Sequence, residues 1–380
     1  MLDTDLYKFT MMQVVLHQYP QATAEYHWIL RSEGVDLRPF ADEIAREISQ
    51  LSQCQITEAE IQYLKTLGYF KEDFLDRLRD FRFNPSYVTI KKDPEFSLEI
   101  RGPWLETILF EVPLLAIISE IVMRGLHPNL TFSEARQRLQ QKIKRIQEHP
   151  LGQDLRFSDF GTRRRYGYVW QAECVQTLAA ALPVQFIGTS NVHLARTLGL
   201  KPIGTMAHEF IQAHQALTPD PVQSQKAAFI AWNHEYKGQL AIALSDTFGL
   251  NSFLKDFDLR LASSYAGARQ DSGNPIEWAK TILQHYQRLG IDPKTKQFVF
   301  SDALTVDKSL DILSHFHGQV QMAFGIGTHL TNDMGVKPVD MVIKMVRCNG
   351  LPVAKISDTP GKSVCIDPEY LNRLKNSLKS

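Results

Sequence analysis

Cysteine is scarce in this chain of 380 residues. Its four cysteines, Cys54, Cys174, Cys348 and Cys365, are far apart and form no Cys-x-x-Cys pair. Neither a disulfide framework nor a structural zinc site is therefore indicated, and we expect reduced, mostly buried thiols.

An excess of charge is also lacking, because Lys plus Arg and Asp plus Glu both number 42. Without a basic field, nucleic acid and acidic membrane surfaces are not expected partners, and small molecules are favoured.

No run of 18 uninterrupted apolar residues is present, so no membrane-spanning helix is expected. The first residues, Met1-Leu2-Asp3-Thr4-Asp5, are acidic where a secretory signal carries positive charge, and the expected location is the cytoplasm. The strongly apolar stretch 107–123 is interrupted by Glu111, Pro113 and Glu120. Those interruptions favour a buried helix.

The length and the pattern of the chain predict two domains of the α/β class. Strand-like segments in the first hundred residues mix with a helical stretch at 39–51, as in an α+β domain. After Arg156, short apolar runs ending in polar residues alternate with helix-like segments at the spacing of βα units. We predict an irregular (β/α) barrel at 126–337 and a smaller α+β domain at 1–125 that 338–380 completes. Strand ends are expected at 157–160, 186–189, 243–246, 300–302 and 324–327, with less clear junctions at 204–208 and 270–273.

Two junctions have residues that suit phosphate. In Gly325-Ile326-Gly327-Thr328 the glycines let backbone N–H groups approach an anion, as late barrel strands often do, although a tight turn explains this motif equally well. In 270–275, Asp271 beside a hydroxyl and a glycine suits a ribose or a metal-bound phosphate. The alternative is that Asp271 caps the next helix.

The segment Asp159-Phe160-Gly161-Thr162-Arg163-Arg164-Arg165 places an aromatic ring and three guanidinium groups in one loop. Stacking and a charge-assisted hydrogen bond are how proteins hold a flat heteroaromatic carboxylate. The alternative is a solvated run of charge, and we expect it to apply to at least one of the three arginines.

His208 and His214 invite comparison with a zinc-binding helix, but a separation of six residues turns the two rings to different sides. A single histidine near a strand end is more often structural than catalytic. Asp246 ends a neighbouring predicted strand, however, and could bind the far ring nitrogen of His208. That bond would fix the tautomer and free the other nitrogen as a nucleophile.

Taken in order, these motifs resemble the nicotinate phosphoribosyltransferase family over nearly the whole chain. The N-terminal part has Leu2-Asp3-Thr4-Asp5-Leu6-Tyr7-Lys8, Phe81-Arg82-Phe83-Asn84-Pro85, Gly102-Pro103-Trp104 and Glu111-Val112-Pro113-Leu114-Leu115. The rest has the segment 159–165, Gly188-Thr189-Ser190-Asn191, Gly204-Thr205 with Ala207-His208-Glu209, Asp271-Ser272-Gly273, 324–328, and Ser357-Asp358 with Pro360-Gly361-Lys362. Chance does not produce so many ordered motifs.

The resemblance implies a barrel beside an α/β domain, a homodimer with shared active sites, and Mg²⁺ carried by the phosphates rather than by protein ligands. It also implies the reaction of nicotinate, 5-phosphoribosyl 1-pyrophosphate and ATP to nicotinate mononucleotide, pyrophosphate, ADP and phosphate, in salvage towards NAD. In that reaction His208 is transiently phosphorylated and Asp246 orients it. By the same resemblance Tyr7 reaches a site of the partner subunit.

The remaining roles that the resemblance implies concern ligand binding. Tyr7 and Phe160 would sandwich the pyridine ring, with Arg163 beside it and Ser190 nearby. The ribose and pyrophosphate would lie near Arg269, Asp271, Ser301 and Asp302. The phosphates would contact Gly325, Gly327, Thr328, Lys344, Lys355 and Lys362, the lysines being looser candidates because such residues are often only solvated.

Three alternatives stay open. In the nicotinamide-using relatives an Asp stands at the position of Ser190, and a carboxylate there would repel nicotinate, so Ser190 favours the acid. A quinolinate-decarboxylating enzyme would need further cations and has no use for a phosphorylated histidine. A catalytically inactive barrel that binds nucleotides or protein is disfavoured by the pair His208 and Asp246.

Overall fold

The computed structural model describes residues 1–357 and 363–379. The chain divides into two compact units. The first unit comprises Met1–Gly204 and Ile326–Lys344, and the second comprises Thr205–Gly325 and Met345–Ser380. The predicted domain division at 125/126 and 337/338 stays a prediction.

The first unit is built from helices and two kinds of strand pairing. Its helices are α1 (Leu6–Gln18), α2 (Ala41–Gln50), α3 (Glu58–Thr66), α4 (Glu72–Asp80), α5 (Trp104–Thr107), α6 (Glu111–Leu126), α7 (Phe132–Glu148), α8 (Tyr168–Ala181), α9 (Val192–Thr197) and α16 (Thr328–Thr331). Its strands are β1 (Thr23–Leu30), β2 (Val88–Lys91), β3 (Ser97–Pro103), β4 (Phe157–Asp159) and β5 (Phe186–Thr189). β3 pairs antiparallel with both β1 and β2, whereas β4 and β5 run parallel.

Local sequence explains several of these elements. Thr57 and Glu60 form a reciprocal capping box at the start of α3. In β3, Leu98 and Ile100 alternate with more exposed neighbours, as expected when one face of a strand lies on the core. The helix α6 is buried along most of its length, which confirms the interpretation of the apolar stretch 107–123.

The second unit is dominated by parallel strands and the helices that connect them. Its helices are α10 (His208–Leu217), α11 (Ser224–Tyr236), α12 (Leu250–Asp256), α13 (Leu259–Ser264), α14 (Pro275–Arg288), α15 (Val306–Phe316) and α17 (Pro368–Lys379). Its strands include β6 (Ile242–Leu244), β7 (Gly267–Gln270), β8 (Gln297–Phe300), β9 (Gln321–Ile326), β10 (Met341–Cys348) and β11 (Leu351–Pro352), with β9 and β10 crossing the unit boundaries. β6, β7, β8 and β9 pair in that order in parallel, so the polar residues that follow β6, β7 and β8 meet at one edge.

The predicted strand ends at 157–160, 186–189, 243–246, 300–302 and 324–327 are confirmed. A strand, β7, also precedes the junction at 270–273. The mixed α/β class is confirmed, but no closed barrel is formed among the described residues. The expectation for the thiols is confirmed in part: all four cysteines are free, Cys174 and Cys348 are buried, and Cys54 and Cys365 are partly buried. Within 1–357 and 363–379, no helix is both long and apolar enough to cross a membrane.

Candidate active site

His208 begins α10 and lies against a carboxylate from the neighbouring strand end. Its Nε2 is 2.9 Å from Oδ1 of Asp246, which follows β6. The other oxygen of Asp246, Oδ2, accepts a hydrogen bond of 3.0 Å from Nζ of Lys355. All three side chains are buried. The pairing of His208 with Asp246 that the sequence predicts is therefore present, and Lys355 completes a row of three groups.

The imidazole of His208 is neutral at physiological pH. Burial lowers the pKa of His208 to about 4, which outweighs the opposing effect of Asp246. We assign the proton to Nε2, because this nitrogen faces a carboxylate that can only accept. Nδ1 then keeps its lone pair, and it lies 3.7 Å from Oδ2 of Asp271. A neutral, oriented imidazole of this kind is a competent nucleophile.

Asp271 joins two further residues with predicted roles. Its Oδ1 accepts a hydrogen bond of 2.6 Å from Oγ of Ser301, and its Oδ2 lies 3.5 Å from NH2 of Arg269. Burial acts to raise the pKa of Asp271, but Arg269 and His208 hold it below its usual value. The alternative that Asp271 caps the next helix is wrong, because Asn274 caps α14 through its side-chain oxygen.

Several buried polar atoms at the same strand ends have no hydrogen-bond partner within residues 1–357 and 363–379. They are Oγ1 of Thr247, Nε of Arg269, Oε1 of Gln270 and Oγ of Ser272. Buried polar atoms are normally paired, so a cluster of unpaired ones marks a place where a polar ligand can bind. Thr247 was missed by the sequence reasoning, although its position directly after Asp246 was an available signal.

Arg163 is the centre of a charged cluster in the first unit. Its NH1 donates to Oε1 of Glu111 at 3.4 Å, its Nε lies 3.7 Å from Oδ2 of Asp5, and its guanidinium lies 5.9 Å from the centre of the Tyr7 ring. Glu111 also forms an ion pair of 2.6 Å with Lys8. Burial acts to raise the pKa of Glu111, but Lys8, Arg163 and Lys344 lower it to about 2. Because the Tyr7 ring lies beside the guanidinium group of Arg163, Tyr7 contacts a residue of its own chain.

Ser190 belongs to the same cluster through Asp5. Its hydroxyl donates to Oδ1 of Asp5 at 2.8 Å, and both residues are buried. The burial of Asp5 raises the pKa of its carboxyl group, against the lowering effect of Arg163. A second carboxylate at position 190 would thus face Asp5.

The other two arginines of the loop have carboxylate partners as well. Arg164 pairs with Asp340. Arg165 is bidentate to Asp3, with hydrogen bonds of 2.7 and 2.6 Å. The prediction that at least one of the three arginines is merely a solvated charge is therefore wrong.

The loop that holds Ser190 is constrained by its backbone. Gly188 has a φ of 143°, and a Cβ at this position would come within 2.1 Å of the carbonyl oxygen of Lys201. Oγ1 of the adjacent Thr189 donates to Oδ2 of Asp159 at 2.8 Å. Only glycine fits at 188, and Thr189 is committed to a buried acceptor.

Most of the remaining predicted site residues lie in the described part of the chain. Phe160 follows β4 and is half-buried, and a Cβ on Gly327 would lie 3.2 Å from the carbonyl oxygen of Phe160. Gly325 lies in β9, Gly327 precedes the short helix α16, and neither has a positive φ. Packing on Phe160 is thus one reason for a glycine at 327. Thr328, Asp302 and Lys344 are half-buried, and Lys362 lies outside the described residues.

Two groups of side chains in the described part of the chain could hold a metal ion. Ligand atoms of His208, Asp246 and Asp271 lie within 4.8 Å of one another, but Lys355 and Arg269 already neutralise the two carboxylates. Glu25, His27 and Glu99 form a second group, of which Glu25 pairs with Arg101. Among the described residues His214 joins neither group, and its Nδ1 is hydrogen-bonded to the carbonyl oxygen of Phe210.

Comparison with known proteins covers the whole chain. The NAPRTase family model, described as nicotinate phosphoribosyltransferase family, matches residues 155–380, and the model of its N-terminal domain matches residues 2–119. Nicotinate phosphoribosyltransferases of Xanthomonas euvesicatoria and Burkholderia mallei are 50% and 48% identical, over 99% of this chain and 96% and 95% of theirs.

Solved structures agree with those relatives. Nicotinate phosphoribosyltransferase from Vibrio cholerae has a TM-score of 0.96 at 39% identity, covering 100% of this chain and 93% of that protein. The enzyme from Porphyromonas gingivalis has a TM-score of 0.94 at 32% identity, covering 100% and 99%. With the family models and the relatives in agreement along its length, this chain belongs to the nicotinate phosphoribosyltransferase family.

Proposed function

We propose that this protein makes nicotinate mononucleotide and pyrophosphate from nicotinate and 5-phosphoribosyl 1-pyrophosphate, and that it couples this transfer to ATP hydrolysis through a phosphohistidine at His208. The observation that carries the proposal is the buried, neutral imidazole held by Asp246. Membership of the family supports the substrates. A cytoplasmic location fits substrates of this kind.

In the ATP step, Nδ1 of His208 attacks the γ-phosphorus. An N–P bond forms while the bond from that phosphorus to the oxygen of ADP breaks, and ADP leaves. The imidazole becomes positively charged while Nε2 keeps its hydrogen bond to Asp246, whose carboxylate stabilises the charge. Water later attacks the phosphorus, which releases phosphate and restores the imidazole.

In the transfer step, the bond from ribose C1 to pyrophosphate breaks and a bond to the pyridine nitrogen forms. Positive charge spreads over the ribosyl ring, so the protein must align the two reactants and stabilise that charge. We assign the ribose and pyrophosphate to Arg269, Asp271, Ser301 and Asp302, where the unpaired buried atoms lie. Mg²⁺, bound by the phosphates, would neutralise part of the pyrophosphate charge.

The other ligand contacts follow the sequence predictions. We assign the pyridine ring to Tyr7 and Phe160, and its carboxylate to the neighbourhood of Arg163 and Ser190. The phosphates are assigned to Gly325, Gly327 and Thr328, with Lys344, Lys355 and Lys362 as further cations. Lys355 donates to Asp246, and because an ammonium group has three N–H donors, the same group can contact a phosphate without leaving Asp246.

The irregular (β/α) barrel and a homodimer with shared active sites are part of the proposal. The predicted role of Tyr7 in the partner's site must accommodate the contact of Tyr7 with Arg163 of its own chain. If that contact persists in the dimer, Arg163 accompanies Tyr7 to whichever site it serves.

The test is an assay of nicotinate mononucleotide formation from labelled nicotinate, with and without ATP, run beside incubation with γ-labelled ATP alone. We expect product formation to be stimulated by ATP and the protein to acquire an acid-labile, base-stable phosphate. The variant His208→Asn should lose both the label and the ATPase. Full labelling of that variant would overturn the assignment of His208.

A further inference from the structure

Gln215 holds the backbone next to Lys355. Its Nε2 donates to the carbonyl oxygen of Ala354 at 2.6 Å, and its Oε1 accepts from the amide nitrogen of the same residue at 2.9 Å. The hydroxyl of Tyr370 also donates to this oxygen at 2.9 Å. Gln215 and Ala354 are both buried. A side-chain amide that satisfies both backbone groups of one residue fixes that residue in position and orientation.

Gln215 and His208 lie on the same side of α10. They are seven residues apart, which is close to two turns of an α-helix. The contacts therefore close a ring within the second unit. It runs from His208 to Asp246, to Lys355, to the adjacent Ala354, to Gln215, and back along α10 to His208.

We propose that Gln215 is a positioning residue for the phosphorylation of His208: by holding Ala354 it keeps the ammonium group of Lys355 on Asp246. This inference rests on the proposed function. Gln215 touches neither the reacting atoms nor any predicted ligand contact. It acts through Lys355, which shares Asp246 with the nucleophile.

Lys355 matters because it opposes the effect of Asp246 on the imidazole. In the part of the chain that the structure describes, the charged groups that face His208 are Asp246, Lys355 and Asp271, the last with its partner Arg269. With Lys355 displaced, the carboxylate of Asp246 would act on His208 uncompensated. The pKa of His208 would rise from about 4 towards its ordinary value of 6.5, and a protonated ring has no free lone pair. The phosphorylation rate falls at low pH as the imidazole becomes protonated, and this acid limb of the pH profile should then move to higher pH.

The experiment measures the rate of phosphate incorporation from γ-labelled ATP into the full-length chain as a function of pH. In Gln215→Met, which keeps the side-chain length and removes the two hydrogen bonds with Ala354 and the one from Tyr370, we expect the midpoint of the acid limb to rise by about one pH unit. Such a shift corresponds to a roughly tenfold lower rate at pH values below both midpoints. The control is Gln212→Met on the same helix, whose amide bonds to the carbonyl of Met345 outside the ring. The midpoint of the acid limb of this control should equal that of the wild type.

Gln215→Asn, which is one methylene too short to span Ala354, is measured in parallel and should shift the limb as well. A lower rate with an unmoved limb in a folded Gln215 variant would overturn the inference and leave the proposed function intact. Loss of the fold in both variants would also overturn it, because Gln215 would then act on the stability of the second unit. An unlabelled wild-type chain would instead reject the phosphohistidine itself, and this inference with it.

Discussion

Arg163 in the first unit and His208 in the second both lie among carboxylates, but they are held in different ways. The side chain of Arg163 is 40% exposed, and its distances to Glu111 and Asp5 are 3.4 and 3.7 Å. The side chain of His208 is 8% exposed, at 2.9 Å from Asp246. A partly exposed guanidinium with long contacts can take a substrate carboxylate at little cost. A buried imidazole with a short contact is already in its reactive orientation.

Breaking the buried contact should have the largest effect. In Asp246→Asn we expect ATP-dependent phosphorylation of His208 to fall by about 10³- to 10⁴-fold, because an amide does not fix the tautomer or stabilise the imidazolium. The rate of label incorporation checks this, with circular dichroism as the test of folding. A folded variant that is labelled at the wild-type rate would mean that the short contact has no role in catalysis.

The next prediction asks whether Tyr7 serves a site of its own chain or of the partner subunit. Tyr7→Ala and His208→Ala, each inactive alone, are unfolded and refolded together, with each variant refolded alone as the control. Random pairing makes about half of the dimers mixed, and a shared site then leaves about a quarter of all sites intact. Activity should recover towards that fraction. No recovery would assign Tyr7 to a site of its own chain.

The matched mixture is Tyr7→Ala with Arg163→Ala. Since Arg163 lies 5.9 Å from the ring of Tyr7 in the same chain, we expect every site in this mixture to carry a lesion and no activity to return. Recovery here would show that the contact between Tyr7 and Arg163 is not the one used in the assembled enzyme.

A smaller effect is expected at Ser190. Ser190→Asp should weaken nicotinate use and improve nicotinamide use by about 1 to 3 kcal/mol, because the added carboxylate repels one ligand and accepts a hydrogen bond from the other. Asp5 accepts a hydrogen bond of 2.8 Å from the hydroxyl of Ser190, so a carboxylate at position 190 would also lie next to a like charge. Ser190→Asn controls for size without charge, and kcat/KM for both substrates is the measurement. An equal fall for both would refute the specificity argument.

The parts of the site that follow strand ends could be predicted from the sequence. Asp246 lies just after a short apolar run and Asp271 lies in a polar junction with a less clear strand before it, and parallel strands bring the two strand ends to one edge. The helix cap was also predictable, although the alternative considered for Asp271 placed it at the wrong residue. Pro275 favours the first helical position, which makes Asn274 rather than Asp271 the cap.

Other contacts leave no trace in the sequence. Gln215 and Ala354 are 139 residues apart, and the sequence around neither residue indicates that they are hydrogen-bonded. The three consecutive arginines have no distinguishing pattern in the sequence, yet each pairs with a different carboxylate. The partners are determined by the tertiary fold, which brings distant residues to this loop. Lys355 could be proposed as a cation near phosphate, but its bond to Asp246 required the fold.

Gly188 has a consequence for anyone who wishes to redesign the substrate preference of this enzyme. A library that randomises 188, 189 and 190 together would contain mostly unfolded members, since any side chain at 188 collides with the carbonyl oxygen of Lys201. Replacing Thr189 would strip Asp159 of a buried donor. Useful diversity is therefore concentrated at position 190 and its partner Asp5, and a two-site library there would sample altered base selectivity while the loop keeps its shape.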